Sequence, residues 1–135
     1  MNKQKILITG GAGFIGTNLI KSLKIQNPQA ELFVIDNFST GYEYNKQEGV
    51  KYYSSDVSSD IASQYMKEIS PDVIYHLAAL ARIQPSFNFP NPTFDSNTVG
   101  TQRVLEFARK NKTLVIYAGS SSTHGGVHKN PYTFS

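Results

Sequence analysis

Three glycines at three-residue intervals are candidates for binding a phosphate group. Gly10, Gly13 and Gly16 follow the strand-like segment Lys5–Thr9 and enter an amphipathic helical pattern. A turn without side chains at the start of a helix lets a pyrophosphate approach the backbone N–H groups, and a glycine inside the helix allows close packing on the strand. Taken alone, the glycines are also compatible with a simple tight turn between a strand and a helix.

A carboxylate follows at the distance that a bound ribose requires. Asp36 ends the second apolar segment, twenty residues after Gly16. An acidic residue at this place accepts hydrogen bonds from the hydroxyls of an adenosine ribose. A loop cap would explain Asp36 alone, but not its position relative to the glycines. No Arg or Lys occurs in residues 36–41, and a carboxylate repels a 2′-phosphate, so the sequence favours NAD over NADP.

A second carboxylate follows the third predicted strand. Asp56 and Val57 lie just beyond the segment that ends at Tyr53, where they are candidates for contacts with an adenine ring. An Asp shortly before a helix is more often its N-cap, whose side chain accepts a hydrogen bond from the first helical turn. Both interpretations stay open from the sequence.

Short apolar runs alternate with helical patterns, which predicts an α/β fold with a doubly wound parallel sheet. The runs are continuously apolar, as expected for strands that are buried on both faces. The predicted strands cover residues 5–9, 31–35, 50–53, 72–76 and 113–117. Helices are predicted from Phe14 to about Gln26, from Ile61 to Ile69 and over 99–108, the last entered after Pro92. The connection between the second and third strands is expected to be short or irregular.

Length and composition bound the class of protein. A chain of 135 residues suits one domain. With no cysteine, a disulfide framework, a thiolate metal site and a thiol nucleophile are excluded. His124 and His128 flank two glycines and lack a third ligand, so no metal site is predicted. The net charge of +3 comes from scattered lysines, so neither nucleic acid nor a membrane is an expected partner. No signal peptide is evident at the N-terminus, and a cytoplasmic location is expected.

Six segments, taken together and in this order, resemble the extended short-chain dehydrogenase/reductase family. They are residues 9–16, 36–41, 76–79, 97–101, 120–125 and 130–135. The similarity is greatest to its NAD-dependent nucleotide-sugar epimerases, of the UDP-glucose and UDP-N-acetylglucosamine 4-epimerase type. The resemblance implies that residues 1–135 are an NAD-binding, Rossmann-like domain whose sheet is incomplete on its C-terminal side. The resemblance further implies that the family's substrate-binding C-terminal region is not included in these residues.

The resemblance also implies which residues bind the cofactor and the substrate. The residues implied to contact NAD are Gly10, Gly13, Phe14, Ile15, Gly16, Asp36, Asn37, Ser39, Thr40, Gly41, Asp56, Val57, Leu77, Ala78, Ala79 and Asn97. The candidates for contacts with a nucleotide sugar are Gln84, Ser86, Ser121 and Ser122.

The chemistry implied for such epimerases is hydride transfer without net oxidation. Carried over to this chain, Tyr132 removes the proton of the sugar 4-hydroxyl while hydride moves from C4 to NAD, and a 4-keto sugar takes the hydride back on its other face. Ser120 is the implied hydrogen-bond donor to the reacting oxygen. The family's lysine keeps the pKa of the tyrosine below the usual value of about 10.

The serines help to choose among reactions. Sugar dehydratases of the family place Asp and Glu after the catalytic hydroxyl, and the decarboxylating members tend to carry a Glu, whereas this chain has Ser121 and Ser122. The pattern therefore favours an epimerase. A dehydratase or reductase of the same family stays an alternative, as does a non-catalytic NAD- or nucleotide-binding module.

Two departures from the family pattern concern the catalytic residues. Ser120 and Tyr132 are only twelve positions apart, which is shorter than is usual in the family. The sequence also stops at Ser135, one position before the lysine of the Tyr-x-x-x-Lys motif. We expect that a longer parent enzyme has lysine at position 136, that it forms a homodimer, and that the 135-residue chain alone is inactive.

Overall fold

The computed structural model describes residues 2–121, and five parallel strands form its centre. The strands are β1 (Lys5–Thr9), β2 (Glu31–Asp36), β3 (Val50–Ser54), β4 (Val73–His76) and β5 (Leu114–Tyr117). Their order in the sheet is β3-β2-β1-β4-β5. The chain therefore winds outward from β1 in one direction and then crosses to β4 on the other side. Such a switch of direction opens a crevice at the carboxyl ends of β1 and β4.

The described residues form five α-helices, of which the first, second and fifth pack on the sheet. They are α1 (Phe14–Gln26), α2 (Asp60–Ile69), α3 (Ile83–Asn88), α4 (Pro90–Phe94) and α5 (Gly100–Asn111). A single π-helical turn, Asp95–Val99, joins α4 to α5, and a 3₁₀ turn, Glu43–Asn45, lies in the connection from β2 to β3. Within residues 2–121, no helix is both long and apolar enough to cross a membrane.

The continuous apolar runs of the strands arise because both faces of the sheet are covered. Successive side chains of a strand point to opposite faces. In β1, Ile6 and Ile8 pack with Ile20 and Leu23 of α1. Leu7, on the opposite face, belongs to a second core cluster formed with α2 and α5, whose members there are Ala62, Met66, Ile69, Val104 and Phe107. If apolar and polar residues alternated along the strands, the helices on one face of the sheet would have no apolar strand side chains to pack against.

The predicted doubly wound, Rossmann-like fold is confirmed, and the differences lie in the segment before α5. The sequence patterns did not indicate α3, a six-residue helix that contains Pro85 and buries no residue, so it has no apolar stripe to reveal it. The helical conformation before α5 starts at Pro90, slightly earlier than the predicted entry after Pro92. Among the described residues, β5 pairs with β4 alone and leaves Leu114 and Tyr117 exposed.

Substituting glycines tests the close approach of the β1–α1 turn to β4. Gly10 has φ +73°, and a Cβ added there would lie 2.8 Å from the backbone N of Ala78. Gly49 has a similar φ of +79° but nothing within 4 Å. We expect Gly49→Ala to lower the free energy of unfolding by about 1 kcal/mol, the cost of left-handed backbone. Gly10→Ala should cost clearly more, because a backbone clash is added to the same strain. Urea unfolding of both variants measures this difference, and equal losses would contradict it.

Candidate functional site

A cavity of about 340 Å³ lies at the carboxyl ends of the strands, where the sheet topology opens its crevice. All of the residues that the sequence assigned to the cofactor line this cavity, except Asn97. They come from the turn after β1, the loop after β2, the loop after β3 and the segment after β4. Five lining residues were not predicted, namely Ile35, Ser55, Leu80, Ser96 and Ala118. Ala118 follows β5 as Leu77 follows β4, so a comparison of strand ends could have found it, whereas Ser96 carries no such signal.

The N-terminus of α1 at this cavity is not capped by a side chain. Its N-cap is Gly13, and no acidic residue occurs in its first turn. In contrast, α2 has Ser59 as N-cap, whose hydroxyl accepts a hydrogen bond from the backbone of Ala62, and Asp60 follows in its first turn. The first N–H groups of a helix need acceptors and favour negative charge. The start of α1 is therefore suited to an anion such as a phosphate.

Asp36 joins the glycine turn to the loop after β2. Its carboxylate is buried, with one oxygen accepting from the backbone N–H of Ala12 (2.9 Å) and the other from that of Phe38 (2.8 Å). The two bonds hold an acidic group at the wall of the cavity, and a carboxylate in this position accepts further hydrogen bonds from hydroxyls. The arrangement fits the ribose contact that the sequence predicted for Asp36.

Asp56 closes a turn beside the same cavity. One oxygen accepts from the backbone N–H and the hydroxyl of Ser58, and the other from the amide of Asn37. Partial burial acts to raise the pKa of Asp56, but these hydrogen bonds outweigh it and lower the pKa below its usual value. The N-cap role considered for Asp56 is wrong, because Ser59 caps α2.

His76 is buried directly behind the cavity wall. Its ring lies between two hydroxyls, with Nδ1 2.7 Å from Oγ1 of Thr9 and Nε2 2.9 Å from Oγ1 of Thr101. Burial lowers the pKa of His76 from 6.5 to about 4. The imidazole is therefore neutral at physiological pH, and it links β1, β4 and α5 through polar contacts.

Asn97 lies behind the cavity wall and does not line the cavity. Its side-chain amide donates to the carbonyl of Leu80 (3.0 Å) and accepts from the N–H of the same residue (2.8 Å). Since Leu80 lines the cavity, Asn97 holds the segment that borders the site.

Of the predicted substrate residues, those that the structure describes do not line this cavity. Gln84 is exposed on α3, and the hydroxyl of Ser86 donates to the carbonyl of Ile83. Ser120 and Ser121 follow β5 and are exposed, without lining the cavity. Ser122 and Tyr132 lie outside the described residues. The cavity has features that suit a phosphate-bearing nucleotide, and it reaches Ala118 at the end of β5, from which the predicted serines continue.

The family follows from comparison with known proteins. Residues 6–134 match the model of the NAD dependent epimerase/dehydratase family. The chain belongs to this family. The members are NAD-dependent, which agrees with the cofactor expected from Asp36 and the glycine turn.

Relatives with different activities match the same span. UDP-glucuronic acid decarboxylase 6 of Arabidopsis thaliana is 33% identical, over 99% of this chain and 38% of its own length. A crystal structure of UDP-glucose 4-epimerase from Brucella ovis in complex with NAD has a TM-score of 0.82 and 30% identity, over 95% of this chain and 39% of that one. The Thermotoga maritima UDP-glucose 4-epimerase, solved with UDP-glucose, has a TM-score of 0.78 and 29% identity, over 84% and 37%. The chain spans 30% to 44% of the length of eight curated relatives that it matches, which include the decarboxylase named above.

Burial of a neutral His76 predicts a pH-dependent stability. Below about pH 6.5 the unfolded chain takes up a proton at this residue, whereas the folded chain does so only near pH 4. The free energy of unfolding should therefore fall by about 3 kcal/mol as the pH drops through this window. Urea unfolding at several pH values measures the slope. His76→Gln removes the titrating group and should flatten the slope between pH 6.5 and 4; identical slopes in both proteins would contradict the prediction.

Proposed function

We propose that this chain is the cofactor-binding part of an NAD-dependent enzyme that epimerises a nucleotide sugar of the UDP-hexose type. The proposal rests mainly on the observation that an anion-binding helix start and an acidic side chain line the same cavity. The uncapped start of α1 and the buried carboxylate of Asp36 face it together. A group that is anionic at one end and carries ribose hydroxyls near it matches both features.

The residues present fit NAD along the whole cavity. The N–H groups at the start of α1 would hold the pyrophosphate, and Asp36 would accept from the adenosine ribose. Asn37, Asp56 and Val57 border the adjoining part of the cavity and would contact the adenine. The segment from Leu77 to Leu80 would lie along the remainder. When bound, NAD supplies a reversible hydride acceptor, and the chain's own residues bind and orient it.

Epimerisation is proposed over related reactions because of the serines after β5. Ser121 and Ser122 stand where the dehydratases of the family have acids and where its decarboxylases tend to have a Glu. Tyr132 is proposed as the base for the 4-hydroxyl of the sugar, and Ser120 as the hydrogen-bond donor to that oxygen. A 4-keto sugar is the expected intermediate. Homodimer formation and a cytoplasmic location stay predictions from the sequence.

Decarboxylation of a UDP-glucuronic acid is the second candidate, because decarboxylases of that substrate are among the relatives. The two reactions give different products, since only the second releases carbon dioxide. We expect the enzyme that contains this chain to convert UDP-glucose to UDP-galactose with NAD and to release no carbon dioxide from UDP-glucuronic acid. Chromatography of the nucleotide sugars measures both reactions, because the epimer and the decarboxylated sugar are each separated from their substrate. Carbon dioxide release without epimer formation would favour the decarboxylase instead.

Substitution of Asp36 tests the cofactor assignment. Asp36→Asn keeps the shape of the side chain but removes the charge that strengthens its hydrogen bonds to ribose hydroxyls. We expect NAD affinity to fall by about 10- to 100-fold and the preference for NAD over NADP to narrow.

Isothermal titration of the 135-residue chain with NAD and NADP measures both effects. Asp72→Asn is the matched control, because Asp72 accepts from the backbone N–H of Lys5 at the amino ends of the strands, away from the cavity. Equal NAD affinity in the two variants would argue against the assigned role of Asp36.

A further inference from the structure

His76 belongs to a chain of hydrogen bonds whose donors and acceptors can be assigned, and no residue role proposed above depends on this chain. The chain begins at Thr101, on the first turn of α5. Its hydroxyl donates to the backbone carbonyl of Asn97, 2.7 Å away and four residues earlier. A hydroxyl has one proton. The contact of 2.9 Å between Thr101 Oγ1 and His76 Nε2 therefore requires the proton to be on Nε2.

The protonation of the other ring nitrogen, Nδ1, follows from its contact with Thr9, at the end of β1. Its Oγ1 accepts from the backbone N–H groups of Leu77 and Ala78, each at 3.2 Å. The hydroxyl proton of Thr9 is then directed to Nδ1 of His76, 2.7 Å away. The contacts at the two ring nitrogens require the same state of the imidazole, which is neutral, donates from Nε2 and accepts at Nδ1.

The chain ends on the backbone that borders the cavity. Thr9 holds the segment 77–80 at its start through Leu77 and Ala78, and the side chain of Asn97 holds it at its finish through Leu80. His76 connects the two anchors, because Thr101 reaches the backbone of Asn97. This segment lies directly against the glycine turn, since a Cβ on Gly10 would stand 2.8 Å from the backbone N of Ala78.

We propose that His76 is a positioning residue, which in its Nε2–H form ties Thr9 to Thr101 and so holds residues 77–80 in the position that binds the cofactor. The proposal rests on the proposed function, because it takes the cavity to be the NAD site. Neither His76 nor Thr9 lines the cavity; His76 is linked through Thr9 to Leu77 and Ala78, which do.

Burial agrees with a neutral ring. His76 is 2% exposed, and this burial lowers its pKa to about 4. The ring of Tyr117 stacks on it from β5, with centroids 5.9 Å apart. A second ring proton would point at Oγ1 of Thr9, which already accepts from two N–H groups. Protonation would therefore break the connection rather than add to it.

The state of the imidazole is measured directly by NMR. Nitrogen-15 shifts of the ring in the 135-residue chain distinguish a protonated from an unprotonated Nε2. We expect His76 to show a protonated Nε2 and an unprotonated Nδ1 at neutral pH. The opposite tautomer, or a doubly protonated ring, would overturn the proposal. This measurement needs no variant and no NAD.

A pair of variants at Thr101 tests the effect on binding. Thr101→Val keeps the shape of the side chain but removes the hydroxyl, and Thr101→Ser keeps the hydroxyl. We expect Thr101→Val to weaken NAD binding about five- to tenfold, the loss expected for a hydrogen bond. It should also speed amide hydrogen exchange at Leu77, Ala78 and Leu80. Thr101→Ser should restore both to wild-type values, and Thr98→Val, on the exposed side of the adjoining π-helical turn, should leave both unchanged.

The outcomes separate this proposal from the proposed function. Equal NAD affinity and equal exchange in Thr101→Val and Thr101→Ser would overturn the positioning role. If the wild-type chain binds no NAD, the proposed function fails, while the exchange rates at Leu80 still decide whether the hydroxyl of Thr101 holds the segment. If Thr101→Val does not fold, the ring shifts of the wild-type chain decide.

Discussion

The backbone of the turn after β1 lies directly against the backbone after β4, and most of the site depends on this close approach. A Cβ on Gly10 would stand 2.8 Å from the N of Ala78, and one on Gly16 would stand 2.5 Å from the O of Gly10. With no side chains in between, α1 starts at the carboxyl edge of the sheet, and its first turn opens into the cavity. The loop after β2 also approaches this turn closely, since a Cβ on Gly41 would stand 2.8 Å from the backbone of Ala12, and Asp36 at the end of β2 accepts from the N–H of Ala12.

The buried polar residues of the described chain are concentrated at the carboxyl ends of the strands. They are Thr9, Asp36, His76 and Ser96. Burial of a polar group costs free energy unless it is hydrogen-bonded. Thr9, Asp36 and His76 meet this condition through contacts between different elements. Within residues 2–121, the opposite end of the sheet has no such concentration, so the polar interior of the described fold lies where a ligand would need fixed donors and acceptors.

Nearly the whole chain is shared with relatives, and it is the part proposed to bind the cofactor, which limits what similarity indicates about the reaction. A UDP-glucuronic acid decarboxylase and a UDP-glucose 4-epimerase match 99% and 89% of the chain at 33% and 30% identity. A cofactor site of one design serves reactions that differ in what happens to the sugar. For this reason the choice among reactions rests on the serines after β5 and not on the strength of the resemblance.

The sequence alone determined the strands, α1, α2 and the roles expected of the glycine turn and Asp36. These features are local, because apolar runs reveal buried strands and a fixed spacing relates the turn to the carboxylate. Tertiary structure decided what joins residues distant along the chain. Asn97 reaches Leu80, and His76 lies between Thr9 and Thr101. In the sequence these are a polar residue before a helix and a strand-end histidine, and only the packing of α5 on the sheet reveals their contacts.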